Sequence, residues 1–228
     1  KENILHNLPQ AVYGNKHFWR SDYTIHARKP FYTSVKMCSK RTVGMEINMN
    51  AENKLGYWLP FGLTYIYLKG DEYSEIFPVW DWARLPGVTN PYLIIEPDRT
   101  MKISQDPEFV GGLSDGRYGI SAMEFSKMHT KAKKAWFWFD EEWIALGAGI
   151  NSENAAPIVT GINQTLQKGS VLVDDVEYDQ IPDNVNRPTF VWHNQIGYVF
   201  PTPQDIHIKA GVQQGNMHRI YGLGEDRI

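Results

Sequence analysis

Lys134-Ala135-Trp136-Phe137-Trp138-Phe139-Asp140, with Ile144-Ala145-Leu146-Gly147-Ala148-Gly149-Ile150-Asn151 after it, is the stretch on which the fold turns. Aromatic side chains fit a pleated, half-buried surface better than a helix face, and four of them stand in a row here. The residues between the two runs are few and acidic, so the runs read as two sheet strands joined by a short turn.

The same grammar continues outward. Short alternating or apolar runs are separated by turn residues, with 19 Gly and 13 Pro in the chain, and long 3.6-period segments are scarce. The runs at 31–38, 62–68, 119–125, 135–139, 143–148, 158–166, 189–193, 196–200 and 206–212 read as strands. His193-Asn194-Gln195, residues 201–205 and Asp115-Gly116 read as turns. Asn163-Gln164-Thr165 fits a glycosylation pattern but reads more simply as part of a strand, with Asn163 as a ladder side chain. Residues 81–101, rich in Pro, Gly and Asn, form a long ordered loop of the kind that carries function or packs over a cleft. Residues 2–8 read as the end of a helix stopped by Pro9, and residues 15–22 lead into the sheet. The fold class is all-β, a sandwich.

A chain of 228 residues can bury a sizeable core. It carries 23 basic and 26 acidic residues for a net charge of −3, so no global field draws it to nucleic acid or a membrane, and a polyanion would need a local patch. No run approaches the roughly 20 apolar residues of a membrane span. Cys38 is the one cysteine, which precludes an internal disulfide and reads as a half-buried strand thiol. The chain reads as a piece of a longer protein, starting at Lys1 and stopping at Ile228 without a cap.

Four segments concentrate chemistry. In Ser21-Asp22-Tyr23-Thr24-Ile25-His26-Ala27-Arg28, extended backbone places Asp22, Thr24 and His26 on one face, as an acid–base cluster or as an Asp–His hydrogen bond within a strand. In Gly44-Met45-Glu46-Ile47-Asn48-Met49-Asn50, Glu46, Asn48 and Asn50 share a strand face, and Tyr57 and Trp58 follow closely. Carboxylates and amides suit sugar hydroxyls and aromatic rings pack on sugar faces, although a solvated polar edge has the same pattern. In Trp80-Asp81-Trp82-Ala83-Arg84, Asp81 reads as the partner of Arg84 in a Trp-anchored loop; as a Ca²⁺ ligand it lacks neighbouring oxygens. Val110-Gly111-Gly112-Leu113-Ser114-Asp115-Gly116 is glycine-rich but precedes a strand, unlike a phosphate-cradling loop.

Five groups of residues, in order along 15–170, resemble the central domain of polysaccharide lyase family 8, which includes chondroitin AC, chondroitin ABC, hyaluronate and xanthan lyases. They are Ser21-Asp22-Tyr23 with His26-Ala27-Arg28, Glu52-Asn53 with Gly56-Tyr57-Trp58, Pro78-Val79-Trp80-Asp81-Trp82 with Leu85-Pro86-Gly87-Val88-Thr89, Gly111-Gly112 with Ser114-Asp115-Gly116 and Tyr118-Gly119, and Lys133–Phe139 with Leu146–Ile150. The resemblance implies a large antiparallel β-supersandwich of the galactose-mutarotase-like kind over 13–228, truncated at its C-terminus, with 1–12 as the tail of a helical domain or linker. It implies a secreted or periplasmic bacterial enzyme that cleaves uronic-acid polysaccharides by β-elimination, with an N-terminal α/α toroid as partner domain. The toroid would hold the family's tyrosine, histidine, asparagine and arginines, so this chain alone would be inactive. The family's central domain donates one glutamate, assigned here to Glu46 with Glu52 in reserve, while Asn48, Asn50, Tyr57 and Trp58 would contact substrate. No cofactor is implied; some relatives hold Ca²⁺ near the Trp-Asp-Trp loop, but Ala83 replaces a second acid beside Asp81. The rival readings are a non-catalytic carbohydrate-binding or structural module, and a mutarotase or epimerase working through His26 and Glu46.

Overall fold

The structure, a computed structural model, describes residues 13–46, 52–98, 101, 103–104, 106–181, 185, 187–202 and 204–221. The expected helix end at 2–8 lies outside them. The described residues form strands and three 3-10 turns, with no α-helix. Two compact units divide the chain: Lys1–Gln164 with Asn216–Ile228, and Thr165–Gly215.

The first unit carries two four-stranded antiparallel sheets. One runs β1 (Gly14–Phe18), β2 (Tyr23–Ala27), β3 (Tyr32–Lys36), β4 (Leu63–Tyr67), in that order. After the short β5 (Thr89–Pro91), the other runs β6 (Val110–Ser114), β7 (Gly119–Lys127), β8 (Thr130–Trp138), β9 (Trp143–Ser152). β10 (Ile158–Thr160) pairs with β5.

The aromatic stretch does what its pattern requires. Along β8, Thr130, Ala132, Lys134, Trp136 and Trp138 are buried while Ala135 and Phe137 are half-buried, the period-2 alternation of a sheet with one covered face. Trp136 and Trp138 are fully buried beside Met123, Phe125, Trp58 and Phe61 in one apolar core that also takes Val35 and Leu63 from the first sheet. The acidic turn closes with Phe139 N–H donating to the Glu142 carbonyl (3.0 Å). A bulge interrupts the β8–β9 pairing between Lys131 and Lys133, opposite Gly149 in the left-handed region (φ +59°).

The second unit is a smaller sheet in the order β12 (Val176–Tyr178), β11 (Val171–Val173), β13 (Phe190–His193), β14 (Ile196–Val199), over a core of Val171, Val173 and Val191.

Several expected strands change. The run 158–166 is a strand only to Thr160, with one parallel bridge from Gly161 to Pro86 beyond it; Asn163 accepts from the Tyr73 hydroxyl (2.8 Å) and Gln164 donates to the Asp81 and Arg84 carbonyls (3.1 and 2.9 Å). Asn163 therefore leaves the ladder for a side-chain contact. The run 206–212 yields a single bridge, Ile206 to Val185. Cys38 lies two residues beyond β3 and is fully buried rather than half-buried.

Lys134 points into the core, where its ammonium nitrogen donates to the Gly87 carbonyl and to Thr89 Oγ1 (3.0 Å). Burial pushes its pKa down from 10.5 to about 7. An unfolded lysine keeps its proton to about pH 10, so between those values the unfolded chain binds more protons and stability rises with pH. Below about pH 7 the full cost of the buried charge is present, with a ceiling on the order of 5 kcal/mol. Lys134→Met is expected to abolish this rise, as measured by denaturant unfolding at neutral and at alkaline pH.

Gly87 has φ +79°, and a Cβ there would press into Thr64 Oγ1 and the Gly62 carbonyl. Gly87→Ala is expected to cost about 2–3 kcal/mol by the same unfolding measurement, since strain and overlap act together.

Candidate functional site

The segment from Met37 to Glu46 follows β3 and is fixed from two sides. On one side stands Asp22, whose carboxylate is fully buried. It accepts from Ser39 N–H (2.9 Å), Ser39 Oγ (2.7 Å), Thr42 Oγ1 (2.9 Å) and Arg41 Nη2 (2.9 Å). Burial pushes the carboxyl pKa up, but the hydrogen bonds from Ser39, Thr42 and Arg41 outweigh it and hold the group below its ordinary value. On the other side Gly44 lies so close to Pro60 and the Ile103 carbonyl that a Cβ would overlap the proline ring. Met45 is buried, and Glu46 emerges beside it into solvent.

Asn48 and Asn50 lie outside the described residues. Glu52 is exposed. Asn53 adopts φ +54° and starts the tight turn into the 3-10 turn Gly56–Trp58. That turn aims both aromatic side chains inward. Trp58 is fully buried and donates Nε1–H to the Leu93 carbonyl (2.8 Å), so its ring offers no face to a sugar here. Tyr57 is 5% exposed and stands edge-on to Trp58 (4.8 Å between centroids), and burial raises its pKa.

Tyr57 reaches the wall of a cleft of about 900 Å³ that the sequence reading did not foresee. Its other walls include Lys127, His129 and Lys131 at the β7–β8 turn, and Asn151 and Glu153 at the end of β9. Met128 and His129 both have positive φ (51° and 58°), which turns this hairpin sharply. Lys127, Lys131 and His129 meet two acidic side chains, Asp106 and Glu153, so the cleft is lined by charges of both signs in near balance rather than by one sign. The signal in the sequence is Lys127-x-His129-x-Lys131; its nearness to Tyr57 is tertiary.

Asp22 and His26 do not pair. Asp22 sits in a turn at φ +49°, before β2 begins, and so escapes the strand alternation. His26 is fully buried and stacks on Trp138 (5.8 Å). Its Nε2–H donates to the Phe139 carbonyl (2.7 Å), and Nδ1 accepts from Asn15 (3.3 Å). Burial lowers its pKa, which fits a neutral structural imidazole. With both nitrogens engaged and no exposure, His26 cannot share an open pocket with Glu46, and the mutarotase reading loses its base.

Asp81 is likewise committed: it accepts from Ala83 N–H (3.1 Å) and the Tyr92 hydroxyl (3.1 Å) and lies 3.6 Å from Arg84, whose guanidinium covers the Tyr92 ring at 4.2 Å. Among the described residues, no three His, Cys, Asp or Glu side chains gather as a cation site.

Known proteins place this geometry. The family model for polysaccharide lyase family 8, super-sandwich domain, matches residues 13–226. Chondroitinase-AC of Pedobacter heparinus is 39% identical over 208 residues, covering 89% of this chain and 30% of that protein. Xanthan lyase of Bacillus sp. (strain GL1) is 29% identical, covering 90% of the chain and 24% of the relative. A chondroitinase AC lyase solved with oligosaccharides superposes with a TM-score of 0.84 at 34% identity, over 97% of this chain and 34% of that one. The chain thus spans about a third or less of the proteins it matches. With nearly its whole length aligned to one domain of one family, the chain belongs to polysaccharide lyase family 8, within its super-sandwich domain.

Proposed function

We propose that this chain is the central β-domain of a secreted or periplasmic bacterial lyase that cleaves acidic, uronate-containing polysaccharides of the chondroitin or hyaluronan type by β-elimination. The observation that carries the reading is the 39% identity to a chondroitinase AC across 89% of the chain. In such a reaction a base removes the proton α to the uronate carboxylate, the bond to the 4-linked oxygen breaks, and a carbon–carbon double bond remains in the uronate. The helical toroid of the whole protein supplies the base. This domain supplies one wall of the cleft and the carboxylate of Glu46, which orients a toroid arginine by a charge-assisted hydrogen bond and raises the proton affinity of the basic phenolate. Two features of the chain support that part. Glu46 is exposed at the end of a segment pinned by Asp22 and Gly44. The cleft beside Tyr57 carries Lys127 and Lys131, two ammonium groups that can meet uronate carboxylates, with Asp106 and Glu153 as acceptors for sugar hydroxyls. Asn48 and Asn50 contact substrate in this reading, and Tyr57 contributes from the cleft wall, whereas buried Trp58 serves as its support. No helix among the described residues is long and apolar enough to cross a membrane.

The test is product chemistry. The whole protein, incubated with chondroitin or hyaluronan, is expected to build up the ultraviolet absorbance of an unsaturated uronate. New reducing ends without that absorbance would mean hydrolysis and overturn the elimination reading.

A further inference from the structure

The small sheet of the second unit has a covered face and an open one. Val171, Val173 and Val191 fill the covered face. The registers put Glu177, Leu172, Trp192 and Gly197 opposite one another across all four strands, β12 to β14, on the other face. Trp192 leaves 42% of its surface in solvent, although an indole is among the costliest side chains to leave wet. Gly197 keeps the flank of the ring open: a Cβ there would lie 3.6 Å from the indole and 3.1 Å from Phe190, so any longer side chain would cover it.

The open indole lines a hollow of about 470 Å³ whose rim is polar. Asn194 and Gln195 form the β13–β14 turn at positive φ (47° and 66°), which lifts two amides beside the ring. Lys168 lines the same hollow, its backbone N–H donating to His193 Nε2 (3.0 Å). Ser170, also in the lining, donates to Glu177. A flat apolar ring, two side-chain amides, an ammonium and a carboxylate that already accepts from Ser170 can together hold a pyranose that carries a carboxylate or sulfate. The apolar C–H face packs on the indole, amides donate to and accept from hydroxyls, and the ammonium meets the anion.

We infer that the Trp192 face of the small sheet is a carbohydrate-contact site that takes one or two residues of an acidic polysaccharide. The acidic class of sugar rests on the lyase reading; the sugar platform rests on the face itself.

The experiment is calorimetric titration of the 228-residue chain with a chondroitin hexasaccharide. The parent is expected to bind, Trp192→Ala to weaken binding at least about tenfold, and Trp192→Phe to stay within about threefold. Gln195→Ala, at an exposed turn, and Gly197→Leu, which covers the ring, are expected to weaken binding as well and decide the matter if Trp192→Ala melts early. A parent that does not bind, or a folded Trp192→Ala that binds like the parent, overturns the inference. The two readings fail separately: binding without any unsaturated uronate from the whole protein sinks the lyase reading alone, and elimination without Trp192-dependent binding sinks this one alone.

Discussion

Asp22→Ala is expected to lower the stability of the first unit by about 3 kcal/mol and to release the segment that carries Glu46. The fully buried Asp22 carboxylate holds that segment through Ser39, Arg41 and Thr42. Alanine leaves the Ser39 hydroxyl without its acceptor and leaves the Ser39 N–H and the Thr42 hydroxyl with longer bonds, to Thr42 Oγ1 (3.3 Å) and to the Ser39 carbonyl (3.4 Å); an orphaned buried donor costs about 1–3 kcal/mol. Arg41 is half exposed and turns to water at little cost. The backbone adds a second loss, since Asp22 sits at φ +49° where alanine is strained and asparagine is tolerated. Asp22→Asn therefore keeps the turn and one acceptor oxygen, and is expected to lose about half as much. The pH dependence separates charge from shape. A carboxyl held below its ordinary value stabilises fully above the unfolded pKa, and that stability is lost as pH falls through the folded one. The parent is expected to weaken in acid more steeply than Asp22→Asn. Denaturant midpoints across mildly to strongly acidic pH measure both effects. A loss under about 1 kcal/mol for Asp22→Ala would show that the segment holds itself.

The features that were legible in the sequence are those whose cause is local. The aromatic run of β8 alternates in burial because adjacent strand residues face opposite ways, and Trp136 and Trp138 leave only the core as a place for that much apolar surface. Asp115-Gly116 and Asn194-Gln195 are turns because the backbone there needs positive φ at Gly116, Asn194 and Gln195. The three-residue strands β5, β11 and β12 have no pattern of their own; partners elsewhere in the chain define them. The same limit applies at the site. Asp22 and His26 look like a pair only if the strand period extends through Asp22, and a left-handed residue ends it there. Tyr57 and Trp58 read as exposed aromatics in a polar neighbourhood, yet the 3-10 turn sends them inward to meet Phe61 and Leu93. The cleft was invisible because Tyr57 and Lys127, His129 and Lys131 lie about 70 residues apart and meet only through packing.

Glu46→Gln in the whole protein is expected to reduce kcat by about 10²–10³-fold with little change in KM. Glutamine keeps the length and shape of the side chain and removes its charge. An arginine held by that charge loses its charge-assisted hydrogen bond, and a nearby phenolate loses the anion that raises its proton affinity. Both losses bear on the proton-transfer step more than on substrate in its ground state, which places the effect in kcat. Folding should not change, because Glu46 is exposed and buries nothing. Glu52 is exposed as well and stands beyond the pinned segment, so Glu52→Gln measures what removing a neighbouring charge does by itself. The decisive measurement is kcat on chondroitin for the parent, Glu46→Gln and Glu52→Gln, with matched thermal midpoints. A loss of a hundredfold or more at Glu46 and less than about threefold at Glu52 is the predicted result. Near-parental turnover by Glu46→Gln would contradict the account and leave the domain a structural wall with no part in the chemistry.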